Sequence, residues 1–340
     1  MTRPDVALDL PRMRHMSVGM TAYAEELAAR LPRVAPDLRF DVLVRPSAID
    51  AREQVALPLR LLRLRPRLTH FLSVYAPLAA PGPFAITVHD LIHLRYPEFF
   101  KRSVGPYYAT VVRAVCARAA RVITDDERTI ADLERFLGVP PRKVAVVPLG
   151  ADDRFAQDVV PEPADAPFFL YVGNHRPHKD LATLFAAWER LDPERHVDLL
   201  LTGSDDLAPA ERPRRNRGRL RFLGDVDSER LARLYRSATA LVHPALCEGF
   251  GLPMLEAASV GTAVIACDDA VPSVLRPYVE TFPARGTDAL LAAMTRALAA
   301  PSSREDARRF ARSLTWDRCA ERTAAVYREV LEECRVRHSA

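Results

Sequence analysis

Nine residues, Glu248-Gly249-Phe250-Gly251-Leu252-Pro253-Met254-Leu255-Glu256, carry the densest chemistry in this chain of 340. Gly249 and Gly251 let a backbone approach a ligand with no Cβ in the way. Pro253 suits the first turn of a helix, where its missing N–H costs nothing. The open N–H groups of such a helix start form a site for a diphosphate. Glu256, about one turn in, would place a carboxylate where it can take both hydroxyls of a ribose. Glu248, in the preceding loop, would reach hydroxyls on another part of the same ligand. The competing reading is a capped structural helix with incidental acids. It requires two acids eight positions apart, two glycines and a proline to coincide in one strand-to-helix turn.

A second loop, Gly173-Asn174-His175-Arg176-Pro177-His178-Lys179-Asp180, joins a strand to a helix. Arg176 and Lys179 put two cations at a strand's carboxyl end, where open α/β domains bind phosphates. Lys179 is one of only three lysines in a chain whose other basic residues are arginines. His175 and His178 invite a metal, but no acid or cysteine set completes a ligand shell. Asp180 reads as the cap of the following helix, which is compatible with phosphate binding.

Short apolar runs alternate with helical stretches along the whole chain, the pattern of an α/β protein with parallel sheets. In the first half, strands are expected at Asp5–Leu10, Phe40–Val44, Thr69–Leu72, Phe84–Val88, Arg121–Thr124 and Lys143–Val147. Gly19 falls in the loop after the first of them. A helix is expected from about Thr21 to Leu31, with Tyr23, Leu27 and Leu31 on one face, and another over Tyr107–Ala120. Ala151–Pro167 is acidic, rich in proline and without periodicity, so it reads as a link between domains. Beyond it, strands are expected at Phe168–Val172, Val197–Leu201, Leu220–Leu223, Ala238–Val242 and Ala263–Ala266. Helices follow at Leu181–Leu191, Ser228–Ser237, Pro253–Ser259, Asp288–Ala299 and Arg304–Ser313, and Trp316 opens a last one. The expected domains are 1–150 and 151–315, with 316–340 as a closing helix. Two such domains facing each other would bind ligands in the cleft, at the carboxyl ends of their strands.

Composition excludes several classes. Apolar residues make up 49% and charged residues 27%, the balance of an ordinary globular protein. The five cysteines form no C-x-x-C pair, which argues against a disulfide framework or zinc knuckle. No leader or spanning run is evident, so the expectation is a cytoplasmic protein. Leu57–Leu68 interleaves Leu and Arg and can lie on an anionic membrane surface. A helix and loop packing the leucines inward is favoured, because Pro66 cuts the pattern short. Pro209–Arg221 is strongly basic, but it lacks aromatic side chains for base stacking. It reads as a solvated loop, and no nucleic-acid partner is expected.

Together the E-x7-E pattern at Glu248 and Glu256, the G-N-x-R-x-x-K loop and Val88-His89-Asp90 resemble the retaining glycosyltransferases of family 4. The likeness spans nearly the whole chain and is greatest to bacterial mannosyltransferase-type enzymes. It implies the GT-B fold: two facing Rossmann-like domains with parallel sheets and an interdomain cleft. The first would bind the acceptor and the second the nucleotide sugar, with the last helix crossing back to the first. By the same resemblance, Arg176 and Lys179 would hold the donor diphosphate and neutralise the leaving nucleotide. Glu248 would contact the donor sugar and Glu256 the ribose, with Gly173, Gly249, Phe250, Gly251 and Leu252 lining the donor site. His89 would face the anomeric centre, and Gly19 would lie in a loop over the phosphates and acceptor. Thr21 stands where relatives have a second glycine, and Pro272-Ser273-Val274 where they usually have Pro-Glu-Val.

The donor implied is GDP-mannose, with UDP- or dTDP-sugars as the alternative. The acceptor would be a glycan, a lipid-linked glycan or a small molecule, with peripheral membrane contact open. No acid is left over as an obvious nucleophile, which favours front-face substitution over a covalent intermediate. The aspartate pairs at 125–126, 205–206 and 268–269 join no second acidic cluster, so no metal and no further cofactor is expected. The rival class is a non-catalytic nucleotide-sugar binding or scaffold protein.

Overall fold

Runs such as Phe84–Thr87 and Val264–Cys267 are buried on both faces, as strands covered by helices on each side must be. The computed structural model describes residues 3–11, 18–45, 52–192, 194–208, 211–213, 218–299 and 304–339. Of the basic stretch Pro209–Arg221, residues 209, 210 and 214–217 lie outside them, as does Ser17. Two compact units are present: Met1–Gly150 with Trp316–Ala340, and Ala151–Thr315.

The first unit runs β1 (Val6–Pro11), α1 (Val18–Val34), β2 (Phe40–Arg45), α2 (Glu53–Leu64), β3 (Leu68–Phe71) and β4 (Phe84–Thr87). It continues through α3 (Ile92–Arg95), α4 (Val104–Tyr107), α5 (Arg113–Arg118), β5 (Arg121–Thr124), α6 (Arg128–Leu137) and β6 (Val144–Val146). Its six strands lie in the order β2-β1-β3-β4-β5-β6, all parallel. Phe71, Phe84, Ile86 and Val122 form the core with Leu57 and Leu61 of α2 and Val115 of α5. Tyr23, Leu27 and Leu31 of α1 are fully buried, as their spacing on one helical face requires.

The second unit runs β7 (Phe168–Tyr171), α7 (Leu181–Glu189), β8 (Asp198–Leu201), β9 (Leu220–Phe222), α8 (Ser228–Ser237) and β10 (Ala240–His243). It closes with α9 (Leu252–Val260), β11 (Val264–Cys267), β12 (Glu280–Phe282), α10 (Thr287–Ala299) and α11 (Glu305–Ser313). Its parallel sheet has the order β12-β11-β10-β7-β8-β9. Trp188 of α7 and Met294 of α10 pack on Phe169, Leu199, Val242 and Ile265.

The chain then returns to the first unit as α12 (Trp316–Ser339). A buried polar chain fixes it there: Tyr327 Oη lies 2.6 Å from His70 Nδ1, and His70 Nε2 lies 2.8 Å from Thr87 Oγ1. Tyr23 Oη meets the same Thr87 hydroxyl at 2.8 Å. Burial, helped by nearby His89, pushes His70 down to about 3, so its ring is neutral and both nitrogens are satisfied.

Several expectations change. Ala151–Pro167 is not a free link. Ala151 bridges Thr315, and the turn Asp153–Ala156 buries Phe155 against the Tyr235 ring at 5.9 Å. Gly19 is not in a loop, because α1 already begins at Val18. The helix expected over Tyr107–Ala120 starts earlier and passes through a π turn at Tyr108–Val112. On α2 Leu57 and Leu61 are buried and Leu64 packs beside them, whereas Val55 (63% exposed), Leu59 (49%) and Leu62 (56%) face outward. Strand β12 and helix α6 were not expected. The first has three residues, and the second packs Leu133, Phe136 and Leu137 on the core, a helical spacing that was present in the sequence and not read.

Candidate active site

In the second sheet the strand order reverses between β7 and β10, which are hydrogen-bonded neighbours. Loops leaving adjacent strands toward opposite sides open a crevice at such a point, the usual ligand position in an open α/β sheet. The loop after β7 holds Arg176 and Lys179, and the loop after β10 holds Glu248. A backbone bond from Leu246 N–H to His178 C=O (2.9 Å) ties the two loops together.

The structure brings Lys179 and Glu248 into direct contact. Lys179 Nζ donates to Glu248 Oε1, and His243 Nε2, at the end of β10, donates to the same oxygen at 2.8 Å. Lys179 and His243 are buried, and Glu248 is mostly so. Burial pushes the Glu248 carboxyl up, but the Lys179 ammonium and the His243 N–H overcome it and hold the group far below the usual carboxylate range. Glu248 is therefore ionised and accepts hydrogen bonds only; both of its described partners use Oε1. Arg176 is exposed, and its guanidinium has no partner among the described residues.

Hydrogen bonds brace the supporting loop. Both ring nitrogens of His175 are engaged, with Asp206 Oδ1 at 2.5 Å and Thr202 C=O at 2.9 Å, so this histidine is not free to bind a metal. Gly173 donates its N–H to Thr202 Oγ1 at 3.1 Å, and Asn174 Oδ1 accepts the Arg176 N–H at 3.3 Å. Asp180 holds the cap position of α7 in the left-handed region (φ 49°), but its side chain makes no capping bond to a backbone N–H and instead accepts the Thr183 hydroxyl at 2.7 Å.

Gly251 sits at the cap of α9 with φ 72°, a conformation that side chains resist. A Cβ there would collide with the Met254 side chain and approach Glu248 Cβ and Cγ to 3.8 Å, which places the helix start beside the carboxylate. Gly249 and Phe250 are buried and Leu252 opens the helix. One turn in, Glu256 Oε2 accepts the Tyr235 hydroxyl at 3.0 Å. Burial raises the Glu256 carboxyl to about 7; the Tyr235 bond opposes the rise and nearby Asp152 adds to it.

His89 and Gly19 belong to the first unit. His89 lies just past β4, its Nδ1 2.6 Å from Asp125 Oδ2, and Gly19 lies in the first turn of α1. Burial pushes the His89 imidazole down, but Asp125 outweighs it and raises the group above its ordinary value.

A family model for glycosyl transferases group 1 matches residues 152–314, and one for glycosyltransferase family 4 matches residues 18–155. The chain belongs to the glycosyltransferases. It is 26% identical over 268 residues to O-antigen chain mannosyltransferase B of Escherichia coli, covering 71% of this chain and 69% of that protein. It is 32% identical over 245 residues to a D-inositol 3-phosphate glycosyltransferase of Geodermatophilus obscurus, covering 64% of this chain and about half (54%) of the relative. The sucrose-phosphate synthase structure from Thermosynechococcus elongatus superposes with a TM-score of 0.71 at 23% identity, over 97% of this chain and 100% of that one.

The glycosyltransferase thus has a GT-B fold. Its sequence did not reveal His243, Tyr235 or Asp125 as partners of the site residues. The one available signal was that a buried acid at a strand end needs an N–H or O–H beside it. Among the described residues of the glycosyltransferase, no group of three or more His, Cys, Asp or Glu is placed to hold a metal. No described helix is long and apolar enough to cross a membrane.

Proposed function

We propose that this glycosyltransferase transfers a hexose, with retention, from GDP-mannose to a hydroxyl of a glycan, lipid-linked glycan or small-molecule acceptor in the cytoplasm. The observation that carries this is the Lys179–Glu248–His243 cluster beside Arg176 and the start of α9. Lys179 has three donors, so it can keep Glu248 and take a diphosphate oxygen as well. Arg176 adds a second cation for the charge that develops as the nucleotide leaves. Glu248 Oε2 takes a sugar hydroxyl, and Glu256 takes the ribose. His89 and Gly19 are assigned to the sugar and phosphate side by resemblance. A carboxylate neutralised by a lysine and a histidine is a weak nucleophile, so a covalent route through Glu248 is disfavoured. The acceptor oxygen bonds to C1 on the face from which the phosphate departs, and that phosphate takes the acceptor proton. The two cations do the work of a metal. Mannose is favoured because the E. coli relative is named a mannosyltransferase.

A thermal-shift panel with GDP, UDP, ADP and dTDP, with and without EDTA, tests the donor and the metal together. A nucleotide at 100 times its dissociation constant stabilises by about 2.7 kcal/mol. GDP is expected to give the largest shift, and EDTA no change. A larger shift with UDP or dTDP replaces the donor. Loss of the shift in EDTA overturns the metal-free step, and silence across the panel favours a scaffold. The anomeric configuration of the product, read by NMR, tests retention.

The reading includes peripheral contact with an anionic membrane through α2, where outward Val55, Leu59 and Leu62 lie beside exposed Arg60 and Arg63. Co-sedimentation with phosphatidylglycerol vesicles should fall with added salt and be lost in Leu59→Glu/Leu62→Glu. Equal sedimentation of the two proteins removes this contact.

A further inference from the structure

Strands β4 and β5 pair in a register that sets each residue opposite one 36 positions on: Ala85 with Arg121, Ile86 with Val122, Thr87 with Ile123. Carried past the strand ends, the same register sets His89 opposite Asp125. There Nδ1 meets Asp125 Oδ2 at 2.6 Å, with the carboxylate almost wholly enclosed. The Tyr23 ring stands edge-on to the imidazole, centroids 4.7 Å apart and planes at 90°, and Tyr23 is itself pinned to Thr87. The imidazole therefore has a wall on one side and a fixed acceptor on another. Its second nitrogen, Nε2, is buried and has no hydrogen-bond partner among the described residues, and the same holds for Asp125 Oδ1. A buried polar atom that the described residues leave without a partner, on a ring held this firmly, is poised for a ligand group.

We propose that Asp125 is a positioning residue for the transfer reaction: it accepts the Nδ1–H hydrogen bond of His89, so that Nε2 is the nitrogen presented to a ligand oxygen at the carboxyl edge of the first sheet. Burial raises the Asp125 carboxyl while the facing imidazole opposes the rise, and the ionised carboxylate that the pair favours only accepts, so Nδ1 carries the hydrogen. Among the described residues the groups around the pair are Asp90 past β4, His70 on β3, Tyr23 on α1, Cys319 on α12 and Asp126. Of these, Asp125 and Asp90 favour the charged ring, which makes Nε2 an N–H donor to a hydroxyl or phosphate oxygen. A purely structural pair would tie the ends of β4 and β5 together and do nothing more.

The test uses the full chain labelled with ¹⁵N at histidine, with the His89 ring signals assigned through His89→Gln. The wild type is expected to keep Nδ1 protonated from pH 6 to 8. In Asp125→Ala the ring should go over to the Nε2–H tautomer that free imidazole prefers. Asp125→Asn, which still accepts but carries no charge, should keep Nδ1–H and lose the second proton at neutral pH. If Asp125→Ala does not fold by its melting curve, Asp125→Asn carries the test. A wild-type ring protonated at Nε2 alone, or a tautomer unchanged in Asp125→Ala, overturns the proposal.

This spectroscopic arm does not depend on activity, so it is separable from the transfer reading on which the kinetic arm rests. In the kinetic arm Asp125→Ala is expected to lower kcat by about 100-fold, within the range for proton-handling side chains. Donor KM should stay within about threefold, and the change should cost nothing further in a His89→Ala background. An equal loss in both backgrounds assigns Asp125 a structural role and overturns the proposal.

Discussion

Lys179→Ala is expected to cut kcat by about 100- to 1,000-fold, the usual cost of removing one donor from developing negative charge. It should also weaken the fold. Glu248 sits within the protein with its charge answered by Lys179 and by the His243 N–H. Removing the ammonium leaves a buried carboxylate with one partner, and breaking such a pair costs about 3 kcal/mol. The sign with pH is fixed. The Glu248 carboxyl is depressed in the folded protein, so the pair contributes stability above the ordinary carboxylate range and loses it as pH falls through the folded value. The gap in melting temperature between wild type and Lys179→Ala should therefore narrow toward pH 3. Arg176→Ala is the contrast, because its side chain is exposed. It should lose a comparable fraction of kcat while melting as the wild type does. Kinetics on a verified donor and acceptor, with melting curves at pH 7 and pH 3, check both. Wild-type turnover in Lys179→Ala would remove the diphosphate from this loop.

Donor affinity is expected to rise about tenfold between pH 6 and pH 8, from Glu256. Only the ionised carboxylate accepts both ribose hydroxyls, and burial holds this group at about 7. An ionised fraction of about one tenth at pH 6 becomes about nine tenths at pH 8. A nucleotide-diphosphate sugar is the right probe, because its diphosphate takes up no proton in this range. Calorimetry in buffers of different ionisation enthalpy should show proton release on binding near pH 7. Glu256→Gln should flatten the profile. The free enzyme should respond in the opposite sense. A carboxyl raised in the folded state contributes stability that is complete below its unfolded value of 4.5 and lost as pH rises through about 7. Glu256→Gln should therefore melt higher than wild type at pH 8 and not at pH 5. A flat affinity profile in the wild type would take the ribose away from Glu256.

Both strand–loop–helix motifs were legible because each lies within a single β-to-α turn, where spacing along the chain is also spacing in space. Gly251 at a cap and Glu256 one turn later follow from helix geometry alone. Asp125 was not legible as the partner of His89, because what joins them is the register of two strands 36 residues apart. The 125–126 pair looked instead like a metal site without a second cluster. His243 was passed over as the end of a strand, though a buried Glu248 needed a donor close by. Ala151–Pro167 has the composition of a linker, and contacts distant in sequence, Phe155 on Tyr235 and Ala151 bridging Thr315, reveal that it is packed. On α2, leucines at 57, 59, 61, 62 and 64 fall all round a helix of 3.6 residues per turn, so they cannot all point one way. The structure buries 57 and 61 and turns 59 and 62 outward with Val55.

Because α12 follows the second unit in the chain, the ribosome delivers Ala151–Thr315 with every strand and helix in hand while the first unit is still short of one. Until Tyr327 arrives, His70 has no hydroxyl for its Nδ1, and until Trp316 arrives Tyr23 lacks its neighbour 6.5 Å away. A neutral buried imidazole with one nitrogen bare is a penalty on closing that sheet early. Domains usually fold in the order in which they are made. Here the half that is translated first receives its last helix only after the other half has been made, and Tyr23, the wall beside His89, gains its Trp316 neighbour only at that point.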